Sequence, residues 1–596
     1  MSNQYHSNEN KYRLNMNNHK QNYRKWRIYI SVVAQITIAS IFQMDSVIAQ
    51  VNVSIPTRME YWLESSLNRI YPKSNPNFNT QFEIIAARNS RISFQVGFRN
   101  NSTEVKMVNC AIKDADMFTP RVRFVGLVPL YHLTPGTELK ELEGSEHLPG
   151  LVPDPLYELT TVQNPPYESR SFWVTLNIPS DIDPGIHHFK VLMTVDGKVS
   201  ELPVKVEISK LVIKPRKDFD VIHWWRGEAT WDYYKLDMFE ERWWALTKKQ
   251  IENMVDHGTN VMYTPIFFNR REVFKRPCQL LIVDEPQPGK YKFDWTRVKR
   301  FVDMAKGAGV EKFEWSHLWI YLGVENPMRI YKEKGGKYEM LWSPDISGTS
   351  DTYINFLKQF LPEFHSFLKK EGILQTSYFH LSDEPGMTDD PKVAEQHILN
   401  YKAAREILQK YAPWMKVMDA LSDIRYGRQK LTDIPIPLVA SAQAYIDEQI
   451  PHWVYYCCVP RGDWLNRFMD TPLAKIRMSG WLFYRLRAKG FLHWGFNYWH
   501  KIGEEKILNP FTENDGGVYP GTSAGDAFVV YPSEDGVLDA IRWEVFAESL
   551  QDYSILQTAG INPDDLLLSS IKSYAQFPKN EHWIRETLIS ILRNAK

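Results

Sequence analysis

Hydrophobic and polar residues alternate with a period of two along the first third of the chain. From about Val51 to Lys214 this alternation is interrupted at short intervals by turn residues. The segments with the clearest alternation are Phe82–Ala87, Arg91–Val96, Arg121–Val125, Phe172–Leu176 and Leu202–Ile208. Short alternating strands with regular turns predict an antiparallel β-sandwich over residues 50–214. We interpret it as a scaffold for a second domain; an independent sugar-binding module is the alternative.

The pattern changes after Pro215, where strand-like runs alternate with helical ones. The predicted strands are Asp220–Trp225, Asn260–Thr264, Lys312–Trp319, Gln375–His380, Met415–Ala420, Leu438–Ser441, Trp453–Cys457 and Phe491–Phe496. The predicted helices include Glu240–His257, Trp295–Gly307, Thr352–Lys370, Val393–Tyr411 and Leu473–Lys489. Eight strands with intervening helices predict a (β/α)8 TIM-like barrel over residues 215–533. A doubly wound sheet is less favoured because no glycine-rich loop follows the first strand. Residues 534–596 predict helices that close over the barrel.

Composition and charge narrow the class of protein. Of the 596 residues, 43% are hydrophobic and 24% charged, which is typical of a globular chain. Lys+Arg and Asp+Glu both number 71, and this balance argues against a nucleic-acid partner. The chain also has 20 Trp, 30 Tyr and 30 Phe. Such a content suits either large cores or aromatic surfaces that stack on sugar rings. No cofactor is indicated.

The N-terminal segment has the features of a secretory signal. Arg24, Lys25 and Arg27 precede an apolar run over residues 28–42, and Val47–Ala49 fits a small-residue cleavage site. We therefore assign residues 1–49 to a signal peptide region and predict a secreted or periplasmic protein, with the outer cell surface as a further location. The run is short and interrupted by polar residues, so we expect no stable membrane insertion after cleavage. An uncleaved anchor is the alternative.

The four cysteines do not form a recognisable pattern. Cys110 and Cys278 are isolated, whereas Cys457 and Cys458 are adjacent. Because no C-x-x-C spacing occurs, neither a zinc site nor a disulfide framework is predicted. We expect buried thiols and no metal centre.

The stretch with the most chemical character is S-Y-F-H-L-S-D-E-P-G at residues 377–386. A short predicted strand ends there in two adjacent carboxylates, Asp383 and Glu384, and Pro385 and Gly386 then turn the chain. Unpaired carboxylates are too costly to bury within a strand, so they are expected at its tip, facing a cleft. The alternative is an ordinary turn with two solvated acids.

The ends of the other predicted strands are rich in aromatic and polar side chains. Barrel enzymes place their chemistry at the C-terminal ends of the strands, so these side chains are candidates for substrate binding. Each alone is more often a packed core residue, but together they predict an aromatic-walled cleft around the acids. Strand alternation prevents Trp224 and Trp225 from both facing the interior. The candidates are His223, Trp225, Trp319, His380, Tyr455, Trp494 and Asn497.

An adjacent Asp-Glu pair suits one particular form of glycosidic cleavage. The usual retaining arrangement needs two carboxylates on opposite sides of the sugar, which neighbouring residues cannot provide easily. In the substrate-assisted form, a 2-acetamido carbonyl attacks the anomeric carbon instead. Glu384 would then donate a proton to the leaving oxygen, and Asp383 would hold the acetamido N–H. Two close carboxylates also raise the pKa of one of them, which keeps an acid protonated near neutral pH.

Several stretches resemble glycoside hydrolase family 123, the β-N-acetylgalactosaminidases, and the wider group that shares their catalytic domain. They are H-L-S-D-E-P at 380–385, W-V-Y-Y-C-C-V-P at 453–460, G-W-L-F-Y-R-L-R-A-K-G-F-L-H-W-G-F-N-Y-W at 480–499, N-P-F at 509–511, G-D-A-F-V-V-Y-P at 525–532 and I-R-W-E-V-F-A-E-S-L-Q-D-Y at 541–553. The resemblance implies a β-sandwich followed by a (β/α)8 barrel. It also implies that Asp383 and Glu384 are the catalytic pair.

The leading hypothesis is therefore a secreted exo-hexosaminidase that removes terminal β-N-acetylgalactosamine from a glycan or glycoconjugate. A second hypothesis is a glycosidase for another sugar, with Asp419 or Asp423 as a separate nucleophile; Asp423 could equally cap a helix. A third is a catalytically silent glycan-binding protein, which would not require a paired acid. The sequence leaves the oligomeric state open.

Overall fold

The computed structural model of the protein describes residues 59–268, 270 and 273–595. The predicted signal peptide region over residues 1–49 lies outside the described residues. Among the helices that are described, none is both long enough and apolar enough to cross a membrane.

Ten strands form the N-terminal part of the described chain. They are β1 Met59–Ser65, β2 Phe82–Arg88, β3 Ser90–Asn100, β4 Lys106–Lys113, β5 Arg121–Leu130, β6 Gly150–Tyr157, β7 Thr161–Asn164, β8 Ser169–Ile178, β9 Gly185–Val195 and β10 Lys198–Val212. They make two five-stranded sheets with the orders β1-β3-β8-β5-β6 and β2-β10-β9-β4-β7. Pairing is antiparallel except between β2 and β10, which are parallel. The predicted β-rich N-terminal region is thus confirmed.

Both sheets contribute side chains to one apolar core, as the alternating pattern requires. Phe94, Val96 and Phe172 come from the first sheet, and Val191 and Val206 from the second; all five are fully buried in the same cluster. Their neighbours in sequence point the other way, because successive side chains of a strand lie on opposite faces.

The rest of the chain mixes short strands with helices. The strands are β11 Asp220–His223, β12 Val261–Thr264, β13 Ile282–Gln287, β14 Lys290–Asp294, β15 Lys312–Trp315, β16 Tyr331–Lys334, β17 Lys337–Met340, β18 Ser377–Phe379, β19 Met418–Ala420, β20 Ile434–Ile436, β21 Val454–Tyr455, β22 Gly490–His493, β23 Val530–Ser533 and β24 Gly536–Asp539. The α-helices are α1 Gly227–Tyr234, α2 Glu241–Asp256, α3 Thr296–Gly307, α4 Asp351–Lys370, α5 Pro391–Tyr411, α6 Ile424–Arg428, α7 Ala442–Asp447, α8 Leu473–Arg477, α9 Ser479–Arg485, α10 Ile541–Ala559 and α11 Glu581–Asn594. Single 3-10 turns lie at Asp116–Phe118, Leu139–Glu141, Leu374–Thr376 and Leu566–Leu568.

Six of these strands form one curled parallel sheet. Its order is β18-β15-β12-β11-β22-β21, while β19 and β20 make a separate parallel pair. Single-residue bridges join the two groups, between Phe379 and Val417 and between Leu438 and Tyr455. The continuous ladder therefore has six strands rather than the predicted eight.

The sixth predicted strand lies a few residues away from its expected position. It was expected at Leu438–Ser441 but is β20, Ile434–Ile436. Pro435 sits at its centre, where a proline argues against a strand because it cannot donate a ladder hydrogen bond. Here Pro435 takes part in the pairing through its carbonyl, which accepts from the backbone N–H of Trp453 at 3.0 Å.

The predicted helix over residues 473–489 is divided into α8 and α9 around Met478. The packing of Gly480 against α10 is unusually close: a Cβ atom there would lie 1.8 Å from the carbonyl oxygen of Ser549. The other four predicted helices agree with α2, α3, α4 and α5 within two residues at each end.

Helix α10 lies between the N-terminal sheets and the parallel sheet and is buried on nearly every side. Its charged residues are paired with both parts of the chain. Glu544 forms an ion pair of 2.8 Å with Arg123 of β5, and Arg477 of α8 pairs with Asp552. The helix thus fills the centre of the described chain; the sequence predicts residues 534–596 as helices that close over the barrel.

Another of these contacts joins Arg542 of α10 to Asp154 of β6. The guanidinium donates to both carboxylate oxygens at 3.0 Å, and both side chains are fully buried. Tyr531 donates a further hydrogen bond of 2.7 Å to Asp154. Removal of either partner of such a buried ion pair is strongly destabilising, because the other charge stays buried without a counter-ion.

We expect Asp154→Ala to lower the free energy of unfolding by about 3–5 kcal/mol, because Arg542 would be left buried without its counter-ion. Urea unfolding followed by tryptophan fluorescence measures this. The control is Glu138→Ala, since Glu138 pairs with Lys140 where both side chains are 73% exposed, and its effect should stay below about 0.5 kcal/mol. Equal stability of the two variants would contradict a central role for the pair.

Candidate active site

The two acids lie on the loop that leaves β18. After His380 the chain bends away from the sheet, and Glu384 adopts a left-handed backbone conformation with φ of 48°. For a residue with a Cβ atom this conformation is strained, and it persists only where the surroundings hold it. Gly386 follows with φ of 82°. The strain is located at the proposed acid itself.

Backbone hydrogen bonds hold this loop from two sides. Asp419 in β19 accepts from the N–H groups of Leu381 and Ser382, both at 3.1 Å. The N–H of Glu384 donates to the carbonyl of Ala420 at 2.8 Å, and the carbonyl of Asp383 accepts from Leu322 at 2.8 Å. The loop is therefore clamped between β19 and the segment that follows β15.

Beneath the loop, His380 lies between two buried carboxylates. Its Nδ1 is 3.0 Å from Asp419 Oδ1, and its Nε2 forms a hydrogen bond with Glu314 Oε1. Burial alone would lower the pKa of His380, but Glu314 and then Asp419 outweigh burial and raise that pKa to about 10. His380 is thus an imidazolium ion at neutral pH, and its charge compensates the two acids.

Two further side chains complete this buried network. The indole N–H of Trp224 donates to Glu314 Oε1 at 2.9 Å, and the hydroxyl of Tyr401 donates to Asp419 Oδ2 at 2.6 Å. Because Asp419 binds the loop backbone and His380 at once, it transmits the network's rigidity to the residues carrying Asp383 and Glu384.

The environment of the two loop acids favours protonation. Both are half-buried. Burial raises the pKa of Glu384, and burial together with the charge of Glu384 raises the pKa of Asp383, which His380 and Arg226 partly oppose. Because two such close carboxylates repel each other when both are ionised, the loss of a proton from one opposes its loss from the other. One member can then donate a proton while the other carries a negative charge.

Tyr455 is the predicted wall residue that contacts the acids directly. Its hydroxyl donates to Glu384 Oε1 at 2.7 Å, a bond that lowers the pKa of Glu384 and so limits the rise caused by burial. Trp494 belongs to the same interior cluster, is half-buried, and donates through its indole N–H to Asp526 at 3.0 Å. Both aromatic residues therefore belong to the interior cluster, and Tyr455 is the one that bonds Glu384.

The other five predicted binding residues are fully buried. Trp225 faces outward and donates to Gln250 at 2.6 Å, while Trp224 takes the interior position, because strand alternation from Ile222 assigns the inner face to residue 224. The set comprises His223, Trp225, Trp319, His380 and Asn497, each 0% exposed.

The polar atoms of these five residues have partners inside the protein. His223 lies between Thr259 and Arg467, and the indole of Trp319 donates to the carbonyl of Gly348. Asn497 exchanges two hydrogen bonds with the backbone of Arg226, at 2.8 and 3.0 Å. We therefore assign His380 and Asn497 to positioning and leave His223, Trp225 and Trp319 in the core.

The two alternative nucleophiles are engaged elsewhere. Asp419 is fully buried within the His380 network described above. Asp423 caps α6, where its side chain accepts from the N–H of Arg425 at 2.9 Å and pairs with the guanidinium of the same residue. This is the helix-capping role that the sequence left open for Asp423.

The cysteines only partly follow expectation. Cys110 and Cys278 are buried, but Cys457 and Cys458 are half-buried, with their sulfur atoms 3.9 Å apart. All four are free thiols.

Glu314 was not among the sequence candidates. It is fully buried in β15 and anchors both His380 and Trp224. A single carboxylate inside an apolar strand is costly to bury without a partner. Its presence in such a strand was the sequence feature that could have pointed to Glu314. The partner, however, lies on a different strand.

Comparison with known proteins places this geometry in context. Residues 224–559 match the family model described as "Glycoside hydrolase 123, catalytic domain". No curated protein matches the chain.

Among solved structures, a family 123 glycoside hydrolase from Clostridium perfringens, studied for glycolipid glycan hydrolysis, has a TM-score of 0.69 at 16% identity, covering 90% of this chain and 97% of that one. At this identity the likeness concerns the fold alone. An Ig-like-domain GH10 xylanase from termite gut has a TM-score of 0.31 at 9% identity, covering 80% and 100% of the two chains. The endo-β-1,4-mannanase of Thermotoga petrophila has 0.32 at 12% identity, covering 58% and 77%.

Substitution of the two alternative nucleophiles, Asp419 and Asp423, should lower the free energy of unfolding by different amounts. Asp419→Ala should lower the free energy of unfolding by about 3–5 kcal/mol, because it removes a counter-ion of the buried His380. Asp423→Ala removes a helix cap and should cost about 1 kcal/mol. Parallel urea titrations of the two variants test this, and a larger loss for Asp423→Ala would contradict the buried network.

Proposed function

Because the chain belongs to glycoside hydrolase family 123, we propose that it removes terminal β-linked N-acetylgalactosamine from glycans by a substrate-assisted retaining mechanism. The observation that carries the proposal is the Asp383–Glu384 pair, half-buried, with a protein hydroxyl on Glu384 and the other nearby acids already engaged. The pair offers one proton donor and one anion on the same side of a substrate.

We also propose that the eight parallel strands act as a closed (β/α)8 barrel packed against a β-sandwich. The bridges Phe379–Val417 and Leu438–Tyr455 support closure, since they join β18 to β19 and β20 to β21. In such a barrel the C-terminal strand ends surround one opening. Asp383, Glu384 and Tyr455 all follow or end such strands, which agrees with their grouping.

In the first step Glu384 donates its proton to the glycosidic oxygen as the bond to the anomeric carbon breaks. The acetamido carbonyl oxygen of the same sugar attacks the anomeric carbon and forms a cyclic oxazolinium ion. Asp383 accepts a hydrogen bond from the acetamido N–H and stabilises the positive charge that develops on that nitrogen. The aglycone leaves with the proton from Glu384.

In the second step Glu384 acts as a base. It takes a proton from a water molecule. The oxygen of this water attacks the anomeric carbon and opens the oxazolinium ring. The acetamido group is restored, the sugar leaves with its original anomeric configuration, and Glu384 regains its proton. The imidazolium of His380 keeps the loop in place throughout, because it stays paired with Glu314 and Asp419.

The alternatives receive less support. The two candidates for a separate protein nucleophile, Asp419 and Asp423, are both engaged in structural hydrogen bonds. A silent glycan-binding protein would not need a strained acid with a raised pKa. We further propose export from the cytoplasm, on the strength of the predicted signal peptide region.

Replacing either acid should separate their roles. We expect Glu384→Gln to retain the fold and to reduce turnover of a substrate with a poor leaving group by about 10²–10⁴-fold. Asp383→Asn should also lower turnover strongly, because an amide cannot balance a cationic nitrogen. Steady-state kinetics on β-GalNAc, β-GlcNAc and non-acetamido glycosides measure both effects, with Asp433→Asn at an exposed position as the control.

A thiazoline analogue of the sugar should inhibit competitively and more tightly than the free sugar, since it resembles the oxazolinium intermediate. The rival mechanism predicts a covalent adduct with a 2-fluoro glycoside. Detection of such an adduct on any carboxylate by mass spectrometry would overturn the substrate-assisted mechanism.

Tyr455→Phe should shift the pH dependence of kcat/KM. The hydroxyl of Tyr455 stabilises ionised Glu384, so its removal raises the pKa of Glu384 further. The acid must be protonated to act, and the alkaline limb should therefore move to higher pH. Tyr378→Phe is the control, because Tyr378 bonds Asp220 in the same cluster. An alkaline limb that moves to lower pH would contradict the role given to Tyr455.

A further inference from the structure

Three loops meet near Arg461, on the segment that follows Tyr455. One follows β5 in the N-terminal part and carries His132; one follows β21 and carries Arg461; the third precedes β23 and carries Tyr519. The rings of His132 and Tyr519 stack with their centroids 3.4 Å apart and their planes inclined by 28°. The imidazole Nε2 of His132 is 2.9 Å from Asp515 Oδ2. The tyrosine ring is therefore held in a fixed orientation.

This stacked pair remains open to solvent. Tyr519 is 46% exposed, and Tyr131, next to His132, is 64% exposed. An exposed tyrosine side chain usually makes few contacts with the rest of the protein. Tyr519 is exposed but stacks on the ring of His132, which fixes its orientation. A fixed aromatic face with polar neighbours is the arrangement that suits a sugar ring, whose C–H face packs on the aromatic surface while its hydroxyls bond to polar groups.

Arg461 connects the loop that carries Tyr519 to the segment that follows Tyr455. Its Nη2 donates to the carbonyls of Gly521 at 2.7 Å and Pro520 at 3.2 Å, directly after Tyr519. Its Nε donates to the carbonyl of Cys458 at 2.9 Å. Cys458 lies three residues after Tyr455, whose hydroxyl bonds Glu384. Hydrogen bonds of Arg461 thus tie the backbone just after Tyr519 to the segment that follows Tyr455.

The N-terminal part is also fixed at this point. The hydroxyl of Thr137 accepts from the N–H of Gly462 at 3.2 Å, and Thr134 forms two hydrogen bonds of 2.7 Å with the buried Asp470. The loop that carries His132 therefore has a defined position relative to the loop after β21.

We propose that Tyr519, supported by His132, forms a binding subsite for the sugars that precede the terminal residue in the glycan chain. This rests on the proposed function, and it deepens it: the substrate is an oligosaccharide rather than a small glycoside, and the N-terminal part contributes to its recognition through His132. The subsite binds the part of the glycan that leaves with the proton from Glu384.

The test compares two substrates of the same terminal sugar. One is a β-GalNAc nitrophenyl glycoside, and the other is an oligosaccharide with β-GalNAc linked to at least two further sugars. We expect Tyr519→Ala to lower kcat/KM on the oligosaccharide about tenfold, mainly through KM, and to change kcat/KM on the nitrophenyl glycoside less than about twofold. His132→Ala should show the same selectivity to a smaller extent, because Tyr519 loses its support.

Phe78→Ala is the matched control, since Phe78 is a 72% exposed aromatic residue in the loop before β2. It should leave both substrates unaffected. Equal losses on both substrates in Tyr519→Ala would assign the pair a structural role and overturn the subsite. A wild-type enzyme that shows no preference for the oligosaccharide would overturn it as well, while leaving the proposed hydrolysis intact.

A binding measurement separates this proposal from the proposed function. Calorimetric titration with the oligosaccharide that lacks the terminal sugar requires no catalysis. Wild-type protein and Glu384→Gln should bind it with equal affinity, and Tyr519→Ala should bind it about tenfold more weakly. If the wild type cleaves no β-GalNAc substrate, the proposed function fails, and this titration alone then decides the subsite: no binding, or equal binding by Tyr519→Ala, overturns it.

Discussion

A buried cation between two buried anions underlies the arrangement of the candidate active site. Glu314 and Asp419 stabilise the protonated form of His380. Each of these three groups would be costly to bury alone. Because Asp419 also accepts two backbone N–H groups of the acid-bearing loop, the charge balance in the interior and the conformation of the loop depend on one another. The strained backbone of Glu384 is maintained by this dependence and not by its own preference.

The same principle recurs where the two parts of the chain meet. Helix α10 carries charged side chains inside the protein, and each finds an opposite charge on another element: Arg542 on β6, Glu544 on β5 and Asp552 on α8. Such pairs add specificity of packing, since an apolar helix could shift by a turn whereas a helix with three matched charges has one register. The parts that hold the acids and the His132 loop are thereby kept in a constant relation.

Much of the fold could be predicted, because it depends on periodicity. The alternating strands before Lys214 and the helices α2 to α5 follow directly from the spacing of apolar residues. The acid pair could be predicted at a strand tip because two adjacent carboxylates before Pro385 are too costly to bury unpaired within a strand. What could not be predicted depends on partners distant in sequence. Glu314 and His380 look like independent residues until they meet, and the choice of Trp224 over Trp225 depends on the phase of a strand that its own sequence does not determine. Strand β20 was not predicted at its observed position because a proline at its centre argues against a strand. Pro435 nevertheless takes part in the pairing, through its carbonyl.

The position of α10 in the chain has a consequence for how the protein is made. The helix is synthesised after both the N-terminal sheets and the parallel strands, yet Asp154 and Arg123 in those sheets find their partners on it. Until residues 541–559 have left the ribosome, Asp154 lacks Arg542 and Arg123 lacks Glu544. The sheets at the start of the chain therefore acquire these buried counter-charges only near the end of synthesis.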